Sequence, residues 1–404
     1  MVEPKKFYRD FDDLLQKIST TQPGEGFVCS ILSEVRANFG ERLSIKGMRL
    51  YEDHGDEFVL INKFSHNGAV ATKRIPSDSV ELQQVLKHGS YVYDDAAFSV
   101  NDSMNQQEQG AGGAAITIRS PENTWVAVFD LDFGWQREEL IFSLNAIRSA
   151  LNNRLFSEAV KTEFEQAEQI QRSLLPKRLP QIAGYEFGAR YQPTEIVGGD
   201  MYDFLEFDDE VFGVCIGDAS GHGLPAALLV RDCVTGLRMG LERQFKMVHS
   251  FHKLNSVIYQ STYSSRFISL FYGELERDGH IIFINAGHPA PFIVRGDEIR
   301  DLQATGLILG AVPHIKLSRS FAQMKPGSVL VLYTDGIFER ENHEEEPFGI
   351  ERLKQIVKEN QEKTAEEIVG LIYKTAFEFG HQSKWEDDTT VVILKRLSGD
   401  REGE

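Results

Sequence analysis

Residues 217–227 read GDASGHGLPAA, which places Asp218, Ser220, His222 and three glycines within seven residues. Such a stretch could hold a serine nucleophile with its base, a glycine loop around a phosphate, or a carboxylate turn that binds metal. A nucleophile elbow needs G-x-S-x-G, and Asp218 and His222 occupy the two glycine places. A Walker loop needs a lysine after its glycines, and the dinucleotide fingerprint needs a third glycine where Ala226 stands. What survives is Asp218, closing the apolar run VFGVCIG. The same local picture recurs at Asp200 in VGGDMYD, at Asp335 after the run VLVLYT, and at Asp387, which opens DDTTVVIL. One strand-end aspartate is ordinarily a turn former or a helix cap. Four of them, beside glycines that let backbone approach closely, point to a shared site. Gathered carboxylates repel each other unless protons or cations neutralise them. Oxygen-only ligation suits Mg2+ or Mn2+. Two such ions about 3.5–4 Å apart can activate a water and stabilise an in-line displacement at phosphorus. The implied chemistry is hydrolysis of a phosphate ester.

The elements that must position these residues can be read from periodicity. In residues 181–397, VFGVCIGD, RFISLFYGELE, HIIFINAGH, SVLVLYTDG and TTVVILKR read as buried strands. LPAALLVRDCVTGLRMGLER, VHSFHKLNSVIYQST and TAEEIVGLIYKTAFEFG carry helical spacing. Strands and helices come in clusters, which predicts a layered α/β arrangement with antiparallel sheets. Ahead of this region, residues 137–180 read as a helical linker. Leu140, Leu144, Ile147 and Leu151 are spaced four, three, four, as in a coiled-coil seam, and Phe164, Ala167, Ile170 and Leu174 continue it. Pro176 and Pro180 end the helix. Such a helix either packs on its own domains or pairs two chains. Residues 1–136 read as a separate α+β module, with a sheet of about five strands flanked by helices and a helical pattern from Leu14 to Phe39 interrupted at TQPGEG.

A chain of 404 residues predicts two domains. Cys29, Cys215 and Cys233 lack CxxC spacing, so neither a disulfide framework nor a zinc site is indicated. A cysteine phosphatase needs an arginine six residues after its nucleophile; Gly221 and Met239 stand there. The formal charge of -18 argues against nucleic acid as the main partner. No apolar run suggests a membrane span and the first residues lack a signal-peptide core, so a cytoplasmic location is expected. Residues 398–404 are expected to be a disordered tail.

VGGDMYD, GDASGHGLPAAL, NAGHPAP, LYTDGIFE and DDTTVVIL, in this order and preceded by SLLPKRLP, resemble the metal-dependent PPM (type 2C) serine/threonine phosphatases. The resemblance is to their bacterial sporulation and stress-response branch and covers roughly residues 165–397. It implies an αββα sandwich at 181–397 with two Mn2+ or Mg2+ ions. Asp218 would bridge both ions, Asp335 and Asp387 would complete one site, and Asp200 with the carbonyl of Ala219 would hold the second. Asp388 could replace Asp387, although the family's DDxT pattern favours the first aspartate. His222 and His288 could each supply a proton to the leaving group or merely order a turn. Ser220 reads as a turn hydroxyl, and Arg190 as either a phosphate ligand or a structural pair. Residues 1–136 resemble a GAF-type sensor, with a PAS domain as the competitor. By the same resemblance the substrate would be a phosphorylated STAS-type anti-sigma-factor antagonist. The heptad spacing suggests a homodimer through the linker helix, and the sensor would answer to an unknown ligand. The alternatives are a catalytically silent sensor or binding scaffold and a nucleotidyl cyclase, whose GGD signature does not continue here because Met201 and Tyr202 follow.

Overall fold

The computed structural model describes residues 25–64, 72–93, 112–208, 210–241, 247–261 and 266–398, so the start of the Leu14–Phe39 pattern and nearly all of the expected tail lie outside them. The chain divides into two compact units, residues 1–163 and 164–404.

In the first unit, α1 (Glu25–Phe39) is followed by β1 (Ile45–Asp53), β2 (Glu57–Phe64), β3 (Arg74–Pro76), α2 (Val80–His88), β4 (Ser90–Tyr93), β5 (Gly113–Arg119) and β6 (Thr124–Leu131). The strands form one antiparallel sheet of order β3-β2-β1-β6-β5-β4. Alternation along β5 and β6 sends Ala114, Ile116, Trp125, Ala127 and Phe129 to a core shared with α1. Ala115, Val126 and Val128 face the other way, against Leu82 and Val85 of α2. The long helix α3 (Arg137–Leu174) begins in this unit. Its seam residues Leu140, Leu144, Ile147 and Leu151 are all fully or almost fully buried in the first core. This corrects the coiled-coil reading of that stretch, because an a/d stripe records that a helix face is buried without saying against what. It also moves the end of the first unit past residue 136. Further along the same helix, Phe156, Phe164 and Ile170 are exposed.

The second unit contains β7 (Tyr185–Gln192), β8 (Asp200–Glu206), β9 (Val211–Ala219), α4 (Leu224–Gly240), α5 (Met247–Ser261), β10 (Ile268–Glu276), β11 (His280–Ala286), β12 (Phe292–Arg295), β13 (Glu298–Asp301), β14 (Ser320–Gln323), β15 (Val329–Tyr333), α6 (Asp335–Phe338), α7 (Ile350–Glu359), α8 (Ala365–Phe379) and β16 (Thr389–Arg396). Two five-stranded antiparallel sheets result, β14-β11-β10-β9-β8 and β13-β12-β15-β16-β7. Period-two alternation sorts their residues into layers. Val214, Ile216 and Phe271 of one sheet meet Leu330, Leu332, Val392 and Leu394 of the other in a central core. Cys215, Leu270 and Tyr272 turn outward against α4 and α5, and Val329, Val331, Val391 and Ile393 against α7 and α8. The order of layers is helices, sheet, sheet, helices. Burying each such aliphatic side chain contributes about 1.5–3 kcal/mol. Among the described residues no helix is long and apolar enough to cross a membrane.

Candidate metal centre

Asp200 opens β8 and lies directly opposite Asp218 near the end of β9, so two carboxylates are cross-strand neighbours. Like charges in that relation are destabilising unless something intervenes. Asp200 is 1% exposed, and its Oδ2 accepts from the hydroxyls of Thr334 (2.7 Å) and Thr390 (2.6 Å). Both threonines come from the opposite sheet, at the end of β15 and within β16. They are joined to each other as well: Thr390 N–H donates to Thr334 Oγ1 at 2.9 Å, and Thr334 N–H to the Thr390 carbonyl at 3.0 Å. Burial raises the Asp200 pKa well above the usual carboxylate range, the Asp218 charge adds to this, and the two hydroxyls act against it.

Asp218 is pushed up to about 8, first by burial and then by the charges of Asp335, Asp387, Asp388 and Glu339. Asp335 is raised to about 6 by burial, Asp387 and Glu339, with the Gly336 N–H opposing. Asp335 does not end a strand as its sequence context suggested. It is the first residue of the one-turn helix α6, two positions beyond β15. Gly336 makes this turn possible, since a Cβ there would lie 2.1 Å from the Asp388 carbonyl oxygen. The turn carrying Asp335 is thereby pressed against the chain that carries Asp387.

Asp387 and Asp388 have different surroundings. Asp388 is buried, with Oδ1 accepting from Thr194 N–H at 2.7 Å and Oδ2 from Gly199 N–H at 2.5 Å. Burial raises its pKa, and those two amides oppose the shift. Asp387 is exposed, and one of its oxygens accepts the Asp388 N–H at 2.8 Å. Its charge acts on both Asp218 and Asp335. Of the pair, the first aspartate is the one with an oxygen left for a ligand role.

Ala219 ends β9. Its N–H donates to the Gly199 carbonyl at 2.9 Å, and a Cβ on Gly199 would come within 2.7 Å of the Ala219 carbonyl oxygen. Ser220 Oγ accepts from Phe267 N–H at 3.0 Å, and Ser220 N–H donates to the Phe267 carbonyl at 2.8 Å, so this hydroxyl ties a turn. Gly221 and Gly223 take φ of 88° and 72°, conformations that side chains rarely adopt. They turn the chain from β9 into α4.

His288 is buried with both ring nitrogens engaged. Nε2 donates to the Tyr333 carbonyl at 3.1 Å, which leaves Nδ1 to accept from Ser269 Oγ at 2.8 Å. Burial lowers its pKa to about 3, so the ring is neutral and has no proton to give at neutral pH. Its role is structural. His222 is exposed, with Nδ1 2.9 Å from Glu195 Oε1. Arg190 stacks over the Tyr373 ring at 4.4 Å, a structural pairing.

The aspartates and the Ala219 carbonyl would offer a donor set of hard oxygens. Clustered carboxylates with pKa values raised by one another fit Mg2+ or Mn2+ by the same chemistry, since a divalent cation removes the repulsion that otherwise favours protonation. They are not drawn into a closed cage. Among the described residues, the group of three whose ligand atoms all lie within 4.8 Å is Glu276, Asp278 and His280. There Asp278 accepts from the backbone N–H of His280 at 3.0 Å and pairs with its Nδ1 at 2.8 Å, an exposed hairpin turn between β10 and β11. Sequence reasoning missed Thr334, Thr390 and Glu339. The two threonines stand beside motif aspartates in LYTDG and DDTT, and that adjacency was the available signal.

The stage II sporulation protein E (SpoIIE) family matches residues 208–397, which contain Asp218, Asp335 and Asp387 and begin just after Asp200. The phosphoserine phosphatase RsbU of Bacillus subtilis (strain 168) is 29% identical over 248 residues, covering 60% of this chain and 72% of RsbU. Protein IcfG of Synechocystis sp. is 26% identical over 321 residues, 67% of this chain and 49% of IcfG. Among solved structures, the PP2C domain of SiaA from Pseudomonas aeruginosa superposes with a TM-score of 0.54 at 18% identity, over 59% of this chain and 98% of that domain. This last likeness is one of fold.

Proposed function

We propose that this chain, a PPM-type protein serine/threonine phosphatase of the bacterial sporulation and stress-response branch, removes phosphate from phosphoserine or phosphothreonine on a regulatory protein through two divalent ions held by Asp200, Asp218, Asp335, Asp387 and the Ala219 carbonyl. The observation that carries this reading is the pairing of Asp200 with Asp218 across adjacent strands, where the charges of Asp335 and Asp387 also bear on Asp218. When bound, Mn2+ or Mg2+ would supply charge neutralisation for the phosphoryl group and an activated water. The chain's own residues do the rest. Asp218 projects from β9, α6 presents Asp335, and the turn just before β16 presents Asp387; these carboxylates would hold the ions. Thr334 and Thr390 hold Asp200 in one rotamer by occupying a single oxygen, which leaves the other for a cation. Asp388 is a backbone latch in this scheme.

The substrate we favour is a phosphorylated STAS-type anti-sigma-factor antagonist in the cytoplasm, in keeping with the phosphoserine phosphatase named among the relatives. Residues 1–136, extended by the buried turns of α3, would act as a GAF-like sensor for an unidentified ligand. Two chains would pair through the exposed part of α3 that carries Phe156, Phe164 and Ile170. The decisive assay is hydrolysis of a phosphoserine protein and of p-nitrophenyl phosphate with Mn2+. Turnover should vanish in Asp218→Asn and in Asp335→Asn, and undiminished turnover in both would remove the metal assignment.

A further inference from the structure

Arg340 follows the turn that carries Asp335 and is 2% exposed, a rare place for a guanidinium. Its backbone is fixed at the end of α6. Glu339 N–H donates to the Asp335 carbonyl at 2.8 Å, and the Arg340 carbonyl accepts from Phe348 N–H at 2.7 Å. The side chain leaves this turn and enters the C-terminal end of α8, where unpaired carbonyls favour a cation. Nε donates to the Ala376 carbonyl at 3.1 Å and Nη1 to the Lys384 carbonyl at 3.3 Å. Nη2 donates to the carbonyl and the hydroxyl of Ser383 at 2.8 and 2.9 Å and to the Gly380 carbonyl at 3.4 Å. The guanidinium carbon stands 4.5 Å from the centre of the Trp385 ring. A side chain on Gly380 would collide with the guanidinium, so that glycine makes the room.

These contacts reach the chain directly before Asp387. Capping α8 would require only the first of them, whereas the planar fork spans the helix end and the loop together. That loop is demanding to hold. His381 and Gln382 take φ of 53° and 59°, conformations that persist only where neighbours fix them. His343, shortly after Arg340, stacks on His381 with ring centroids 3.8 Å apart, a second tie between the same two segments. The segment that presents Asp335 and the segment that presents Asp387 are thus fastened to each other at one buried cation. Asp200 is fastened elsewhere, by Thr334 and Thr390. Groups that support a metal ligand typically govern affinity by about 10–100-fold, because they fix where the ligand atom stands before the ion arrives. Arg340 acts through the loop and not on the carboxylate itself, which places it at the lower end of that range.

We propose that Arg340 is a positioning residue for one of the two ions: by fastening the loop before β16 to the turn of α6, it sets Asp387 beside Asp335 and leaves the ion at Asp200 untouched. This rests on the metal-site reading above. The test is Mn2+ titration of the full chain by calorimetry, with the metal-free melting temperature and the Mn2+ dependence of turnover measured on the same samples. Arg340→Met, which keeps the apolar stem and removes every donor, should weaken one Mn2+ binding step about tenfold and leave the other within about twofold. Its turnover should recover at saturating Mn2+, so the metal requirement rises while kcat is largely restored. A lower melting temperature with parental affinity in both steps would make Arg340 a packing residue only and overturn the proposal. Equal weakening of both steps would overturn it too, as a general loosening of the fold. Asp335→Asn separates the two readings. If it binds Mn2+ like the parent, the metal site itself is wrong. If it loses an ion while Arg340→Met keeps both at parental affinity, the positioning role alone fails. Should Arg340→Met not fold, judged by circular dichroism, Arg340→Lys keeps the charge but cannot span the helix end and the loop at once. A severalfold weaker affinity in one step supports the proposal there, and unchanged affinities overturn it.

Discussion

The two units bury their polar groups differently. Among the described residues, the first unit buries Arg49, Thr117 and Ser143, scattered over its sheet and helix, while the second buries thirteen polar or charged residues. Six of these, Asp200, His288, Thr334, Asp388, Thr389 and Thr390, lie at or next to strand ends around the proposed site. A buried polar group costs free energy unless it is hydrogen-bonded. A fold selected only to pack would avoid such a concentration. The first unit is what apolar periodicity alone builds; the second accepts electrostatic strain at one end of its sandwich, where a cation would relieve it.

The strongest attempt to break that contrast is Asp218→Asn. Loss of several kcal/mol of transition-state stabilisation should lower p-nitrophenyl phosphate turnover about a thousandfold or more. Thr117→Val in the first unit should leave turnover within about twofold; an equal loss in both would erase the distinction. Next in size, Leu144→Ala should cost about 2–5 kcal/mol in thermal unfolding, as expected of a core residue and not of a solvent-facing seam. A change below about 0.5 kcal/mol would return Leu144 to the surface.

His288 offers a pH test specific to the second unit. Its folded pKa, near 3, lies below the ordinary value of about 6.5, so the neutral ring stabilises the fold above pH 6.5 and that stability is lost as pH falls toward 3. Between pH 6.5 and 4 the loss should reach about 3 kcal/mol. His288→Gln should flatten this part of the profile in urea unfolding. A slope equal to the parent's would show that other groups carry the acid sensitivity. Smaller again, Asp388→Asn should destabilise by about 1–3 kcal/mol by leaving an amide N–H without its acceptor. Asp387→Asn should change stability by less than about 0.5 kcal/mol while lowering Mn2+-dependent turnover. Reversed outcomes would exchange the roles of the two aspartates. The smallest expected effect is that of Phe164→Ser with Ile170→Ser, within about 0.5 kcal/mol of intrinsic stability. The parent chain should sediment as a dimer and this variant as a monomer. A monomeric parent would withdraw the pairing.

Much of the second unit was legible in sequence because its strands are short apolar runs ending in glycine and aspartate. The runs around VFGVCIGD and TTVVILKR became β9 and β16 with little adjustment. Periodicity did not distinguish β12 to β14, four-residue strands too short for alternation to register. The seam at Leu140–Leu151 showed a buried face but not its partner. Thr334 and Thr390 act across sheets, and no local spacing encodes a hydrogen bond between residues 134 or 190 positions apart. Asp388 could be weighed against Asp387 only by motif; the two amides that occupy it come from a loop nearly two hundred residues earlier.

The first strand of the sandwich, β7, pairs along its whole length with the last, β16, from Thr389 opposite Gln192 to Arg396 opposite Tyr185. A ribosome must therefore finish the final strand before the sheet can close, and Asp387 enters immediately ahead of it. On the proposed metal assignment, a nascent chain would acquire phosphatase activity only once synthesis of the sandwich is complete. The neighbouring positions of those two strand ends also make this unit a good subject for circular permutation, with new termini in an exposed hairpin turn such as that at Asp278.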